Sequence, residues 1–281
     1  MNWTSIAINI GILLYILTIL AIIYTIILEN RNPVRTLAWI LVLVLVPGIG
    51  LFFYIYFGMN YRKIKMFSMK GLGDFKWLQY MSEDQKQRIK KAELLKKEDM
   101  EAVKPLMTLL LNNSKALLSR NNTIEILNNG EATFGSIFKA IAKARKYIHL
   151  EYYIIDKGEL GEKLKELLIT KAKEGVEVRV IYDDVGSWKL PKRYIKEMQA
   201  AGIQIYPFLP VRFPLFTNKV NYRNHRKIVV VDGDTGFIGG LNFADRYLHG
   251  LPGIGIWRDT HLKVKGEAVT SLQVVFLFDW Y

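Results

Sequence analysis

The sequence has no cysteine, so disulfides and thiolate metal sites are excluded, and the redox state of its compartment leaves no trace. Acidic side chains are scarce. The 26 Asp and Glu face 39 Lys and Arg, leaving a formal net charge of +13 and a pI near 9.6. That imbalance predicts attraction to an anionic partner, either nucleic acid or an acidic membrane surface. Histidine is rare too, and His149, His225, His249 and His261 show no HExxH or comparable ligand spacing. A metal ion is therefore not expected. No internal repeat is visible, and 281 residues suffice for one or two domains.

Charge is also missing from two stretches, Trp3–Leu28 and Thr36–Tyr61, each 26 residues long. As helices they would reach roughly 39 Å at 1.5 Å per residue, enough to cross a ~30 Å hydrocarbon core with tilt. A cleaved signal peptide is the competing reading of the first stretch. It has no basic leader, is too long, and offers no small-x-small site before Glu29, so a two-span transmembrane hairpin is expected. Pro47-Gly48 would kink the second helix, which membrane helices tolerate. Trp3, Tyr54, Tyr56 and Tyr61 lie near the ends, where aromatic belts sit. Arg62, Lys63, Lys65 and Lys70 follow the second stretch, the connection holds only Arg31 and Arg35, and the leading tail has neither Lys nor Arg. The positive-inside rule then predicts a multi-pass protein of the cell membrane with both ends cytoplasmic.

What remains divides into a charged helical linker, 62–103, after the anchor at 1–61, and an α/β region at 104–281. Ser82–Val103 reads as a helix with Ser82 as N-cap and Gln85 three residues on. It is either a solvated connector or a basic helix lying on anionic lipid. Beyond it the pattern predicts strands at 147–155, 176–182, 203–208, 228–231, 236–238 and 259–264, with helices at 134–146, 160–173, 194–201 and 268–281. Strands alternating with crossover helices imply a mainly parallel or mixed sheet flanked by helices.

The chemistry concentrates at Asn224-His225-Arg226-Lys227, just before the apolar run Ile228–Val231. Residues two apart on a strand share a face, so an imidazole and an ammonium would stand side by side. A neutral imidazole can attack phosphorus, and a fixed cation can hold phosphate oxygens. A basic strand end with a surface histidine is the plainer account of His-x-Lys alone. The full spacing, His225-x-Lys227-x4-Asp232-x6-Gly239-Gly240-x-Asn242, fixes six residues over 18. It resembles the HKD signature of the phospholipase D superfamily.

Two further stretches narrow that resemblance to the N-terminal part of bacterial cardiolipin synthases. Glu29-Asn30-Arg31-Asn32-Pro33, with Trp39, Gly48 and Gly50 behind it, is similar to the family's two-helix leading module. Trp257-Arg258-Asp259-Thr260-His261 is similar to a second family stretch. The resemblance implies a phospholipase D-like half-domain in which His225 is the nucleophile, Lys227 neutralises charge on the equatorial oxygens and Asn242 donates a further hydrogen bond. Asp259 is then the acceptor that orients His225, against the alternative of a surface carboxylate paired with Arg258. Asp232 completes the motif but sits where the chain turns, which favours holding the turn over chemistry. Arg223 either helps bind an anionic headgroup or is solvated. Glu151 and Asp183 mark strand ends, where open α/β sheets place their sites; buried structural roles are equally open. The loop Arg212–Phe216 either dips into a headgroup layer or packs on the core.

The family pattern requires two such motifs, one histidine attacking and the other protonating the leaving alcohol. This sequence has one. His261-Leu262-Lys263 repeats the first spacing, but Ala268 stands in the aspartate's place. The implied reaction joins two phosphatidylglycerol molecules into cardiolipin and glycerol through a phosphohistidine, with a second chain or a missing C-terminal half supplying the other motif. Anionic phospholipids and a membrane are the expected partners. A dimeric phosphodiesterase or nuclease, or a non-catalytic lipid-binding remnant, is the alternative, and the two apolar stretches speak against nucleic acid.

Overall fold

The computed structural model describes residues 3–28, 33–46, 49–54, 69–90, 103–211 and 223–281. The chain divides into two compact units, one holding Met1–Ile64, the other Lys65–Arg212 and Val220–Tyr281. In the first, α1 (Trp3–Leu28) carries no charge, and α2 (Pro33–Leu45) is followed by the short α3 (Ile49–Phe53). Leu43 and Tyr54 are buried against Ile22, Ile23, Trp39 and Leu51. Gly50 lets α3 approach α2, because a Cβ there would lie 2.5 Å from the Val42 carbonyl oxygen. Pro47, Gly48 and residues 55–61 of the second expected span lie outside the described residues, as do the connection 29–32 and the basic residues Arg62, Lys63 and Lys65. Counted over the described residues, no helix is long and apolar enough to cross a membrane. The described helices thus do not confirm the expected hairpin.

The second unit begins with α4 (Met69–Lys90), which packs on α5 (Lys104–Ser114). The expected helix start at Ser82 is corrected here. Ser82 lies inside α4 at 1% exposure, and its hydroxyl donates to the Leu111 carbonyl at 2.8 Å. The Gln85 amide donates to the Leu118 carbonyl and accepts from its N–H. Ser and Gln three apart resemble a capping box, but three apart is also one helix face, and here that face fastens a neighbouring segment. Residues 91–102 of the expected linker lie outside the described residues.

The α/β region runs β1 (Thr123–Asn128), α6 (Asn129–Ala142), β2 (Tyr147–Tyr152), α7 (Glu159–Lys173), β3 (Glu177–Asp183), α8 (Lys192–Ala200), β4 (Gln204–Phe208), β5 (Lys227–Val231), β6 (Thr235–Gly239), α9 (Arg246–His249), β7 (Thr260–Lys265) and α10 (Ala268–Trp280). The strands form one seven-stranded sheet in the order β1-β7-β6-β5-β2-β3-β4. β2, β3 and β4 are parallel, joined by α7 and α8, and every other pairing is antiparallel. The sheet is therefore mixed, with helices flanking it. β5 reads Lys-Ile-Val-Val-Val and is buried at every position, as β-branched residues in a central strand covered on both faces should be.

Alternation along the strands sends side chains to two cores. Leu150, Tyr152, Val178, Val180, Val229 and Val231 join Phe134, Ile137 and Ile141 of α6 and Leu160, Leu164 and Leu168 of α7. Ile228, Val230 and Val264 meet Val269, Leu272 and Val275 of α10. Each fully buried aliphatic or aromatic chain contributes about 1.5–3 kcal/mol. β2 ends at Tyr152, short of the expected Ile155. The next backbone donors are taken by side chains: Ile154 N–H by Asn242 Oδ1 at 3.1 Å and Ile155 N–H by Ser187 Oγ at 3.0 Å.

Candidate active site

β5 delivers the His225–Lys227 pair to one end of the sheet. Lys227 opens the strand at 4% exposure, and His225 precedes it, exposed. Lys227 Nζ donates to the His225 carbonyl at 2.6 Å and stands 3.2 Å from His225 Nδ1. An ammonium has only protons to offer, so Nδ1 presents its lone pair and the ring proton resides on Nε2. The pKa of His225 is lowered by burial and then by the Lys227 charge, against the opposing pull of Asp183. The imidazole is therefore neutral near pH 7. Burial also lowers the pKa of Lys227, with Asp259 opposing. Tyr153 closes one side, its ring centroid 4.2 Å from that of His225 and 5.5 Å from Lys227 Nζ. The HKD spacing does not single out Tyr153, which the sequence places inside the expected strand 147–155; the structure sets it just past the end of β2. Gly186 makes room for it, since a Cβ there would lie 2.3 Å from the Tyr153 carbonyl oxygen.

Two buried carboxylates hold the chain just ahead of His225. Asp183, fully buried at the end of β3, accepts from the N–H groups of Val185, Gly186 and Asn224 at 3.0, 2.9 and 3.0 Å. Its Oδ1 also lies 3.4 Å from Arg223 Nη1. Glu151, 0% exposed at the end of β2, accepts from the side-chain amide of Asn224, which donates to Asp279 of α10 as well at 2.9 Å. Arg226 contacts Asp279 and stands 3.8 Å from Glu151. The backbone and side chain of Asn224 are thus fixed by different strands, and His225 inherits that placement.

Burial pushes the Glu151 carboxyl up to about 7, although Asn224 and Arg226 pull the other way. A folded pKa above the unfolded one gives stability that is complete below about pH 4.5 and is lost as the pH rises through 7. Glu151→Gln should therefore match the parent protein near pH 4 and exceed it at pH 8.5 by about 3 kcal/mol. Calorimetric melting at the two pH values checks this; equal Tm differences at both would refute it.

The remaining expected residues are placed differently. Arg223 is half-buried and held by Asp183 beside His225. Asn242 is buried, with Oδ1 accepting from Ile154 and Nδ2 donating to the Tyr247 hydroxyl at 2.9 Å, so it fastens the loop that carries Tyr153. The Asp259 carboxylate accepts the Thr260 N–H at 2.6 Å, and no hydrogen bond joins it to His225. Its electrostatic partners are Lys227 and His261. Arg258 reaches the Asp259 carbonyl, Thr260 and Asn128. Asp232 is not brought to the pair at all. It follows Val231 at the opposite end of β5, roughly 16 Å away at 3.3 Å per residue, and accepts the N–H groups of Arg145, Lys146 and Tyr147. A strand separates Asp232 from the pair, and its carboxylate is consumed by the start of β2.

A mixed sheet carrying a histidine–lysine pair at the head of a central strand defines a phospholipase D-like domain. Residues 137–269 match the family model described as "Cardiolipin synthase, PLD-like domain", and residues 16–58 match "Phospholipase_D-nuclease N-terminal". The chain is thus similar to the N-terminal part of bacterial cardiolipin synthases and carries one phospholipase D-like half-domain. It is 46% identical over 264 residues to the cardiolipin synthase of Geobacillus sp. (strain WCH70), covering 94% of this chain and 52% of the relative. To cardiolipin synthase 2 of Bacillus cereus it is 48% identical over 257 residues, 90% of this chain and 48% of the relative. The chain spans about half the length of the curated relatives it matches. Among solved structures, the phospholipase D family member Nuc from Salmonella typhimurium aligns at a TM-score of 0.43 with 17% identity, over 57% of this chain and 95% of Nuc.

Proposed function

We propose that this chain is the N-terminal, nucleophile-bearing half of a membrane-bound phosphatidyltransferase that makes cardiolipin. The observation that carries the reading is the neutral His225 imidazole with the Lys227 ammonium 3.2 Å from its ring. A ring nitrogen of His225 attacks the phosphorus of one phosphatidylglycerol. The bond from phosphorus to the glycerol oxygen breaks, and that oxygen takes a proton from an acid supplied by the second motif. The hydroxyl of another phosphatidylglycerol then attacks the phosphohistidine, returns a proton to that same group and frees His225. Lys227 offsets charge that builds on the phosphoryl oxygens. Asp259 bears on this step through Lys227, and Arg223 lies where an anionic headgroup would pass.

Residues 1–61 are the anchor in this reading, 62–103 the connection and 104–281 the half-domain. Support for the anchor comes from the family match at 16–58 and from two uncharged stretches long enough to span a bilayer. The basic residues after the second stretch orient the half-domain toward the cytoplasm, and confinement at a bilayer surface brings the two lipids together.

The test is cardiolipin formation in phosphatidylglycerol vesicles, read by lipid mass spectrometry. The expected result is little product from the 281-residue chain alone and a large increase on adding the C-terminal half of a curated relative. No cardiolipin under either condition would overturn the proposal.

A further inference from the structure

His261 stands outside every role described so far, yet it is the most anomalous side chain near the site. It is 0% exposed, and neither ring nitrogen has a hydrogen-bond partner. A buried polar atom left unpaired is costly, so a leucine here would suit the fold better. Burial forces the ring to remain neutral, pushing its pKa down to about 4 against the pull of Asp259 and with the help of the Lys227 charge.

The sheet register shows where the ring lies. His261 on β7 pairs with Gly239 on β6. One step along, Ile238 pairs with Ile228 on β5, which sets Gly239 opposite Lys227. The three share one face in a row, with β5 and β7 roughly 10 Å apart across the intervening strand. The middle residue has no side chain. A Cβ on Gly239 would meet the His261 ring at 2.4 Å, and one on Gly240 would meet the Asp259 carboxylate at 2.3 Å. The two glycines of the motif thus clear a channel through which His261 and Asp259 face Lys227.

Lys227 meanwhile rests on His225, where its ammonium occupies the Nδ1 lone pair and leaves the proton on Nε2. While it stays there, neither nitrogen has a free lone pair for phosphorus.

We propose that His261 is a positioning residue that accepts a hydrogen bond from the Lys227 ammonium across the Gly239 gap and thereby releases His225 for attack. This rests on the phosphatidyl-transfer reading, but part of its test does not. The four histidines allow side-chain ¹⁵N resonances of the full chain in detergent micelles to be assigned by substitution. Adding inorganic phosphate should move the His261 ring resonance, and Lys227→Met should remove that response. A His261 signal that phosphate leaves unmoved in the parent chain, or that phosphate still moves in Lys227→Met, would overturn the proposal, whether or not cardiolipin is made.

In the reconstituted transfer reaction, His261→Leu should melt no lower than the parent protein while kcat falls about 10- to 100-fold, the range for a lost positioning or proton-handling group, with KM little changed. His261→Gln, which restores an acceptor, should recover much of the loss. Full turnover in His261→Leu, or a loss that His261→Gln does not relieve, would count against it.

Discussion

Replacing His225 with alanine is expected to abolish phosphatidyl transfer in the reconstituted reaction, a loss on the order of 10⁴-fold or more, as for other covalent nucleophiles. No neighbouring side chain can stand in. Tyr153 presents its ring to His225, Asp183 is fully buried with its oxygens committed to Asn224 and the adjoining turn, and Glu151 is fully buried with Oε1 taken by the Asn224 amide. Lys227→Met should be milder, roughly 10²- to 10³-fold, because it removes charge stabilisation and leaves the attacking atom in place. Acid-free quenching during turnover, followed by peptide mass spectrometry, should find the phosphatidyl group on His225. Undiminished cardiolipin formation in His225→Ala, or label on another residue, would sink the assignment.

Asp232→Ala should cost about 3 kcal/mol of stability and lower Tm by roughly 6–12 °C, with little direct effect on chemistry. Three backbone donors converge on this carboxylate, from Arg145, Lys146 and Tyr147. It also sits at a φ of +53°, a conformation that Asp and Asn tolerate and Ala resists. Burial alone would raise its pKa. The N–H groups of Lys146, Arg145 and Tyr147 outweigh that effect and the Lys146 charge adds to them, so the group titrates below its ordinary value. A depressed folded pKa gives stability that is present above the unfolded pKa and disappears as the pH falls through the folded one. Asp232→Asn keeps the turn and part of the acceptor, and should lose about half as much. Turnover of either variant, measured well below its lowered Tm, should stay within a few-fold of the parent. Intact stability with lost turnover would return Asp232 to the chemistry.

The contrast between His225 and Asp232 shows what a linear motif carries. Spacing of two along a strand correctly joins His225 to Lys227, because alternation is a local property of extended chain. The same run, read as a strand, carries Asp232 to its far end, five residues beyond Lys227; spacing cannot show that the N–H groups of Arg145, Lys146 and Tyr147 close on that carboxylate. Helices α6, α7, α8 and α10 and the inner strands of the α/β region are legible from periodicity, with α6 starting at Asn129 and ending at Ala142 where the pattern suggests 134–146, whereas α5 and α9 are not. Nor is β1, although Thr-Ile-Glu-Ile-Leu-Asn alternates. It is an edge strand, exposed at every position but Leu127, and so has no apolar run to mark it. Tyr153, the carboxylate pair around Asn224 and the place of His261 depend on contacts between distant strands, and composition and spacing do not encode those.

β1 also has a consequence for how the protein is made. Thr123 pairs with Lys265 and Asn128 with Thr260, so the first of the described strands finds its one neighbour among them in the seventh. At 5–20 residues per second, β1 waits on the order of ten seconds, and Ile124 and Ile126, still 59% and 65% exposed in the finished fold, have no sheet to join meanwhile. Such a delay at an apolar edge invites pairing with other nascent chains, and a charged residue at Ile126 would be the economical way to improve the yield of folded protein.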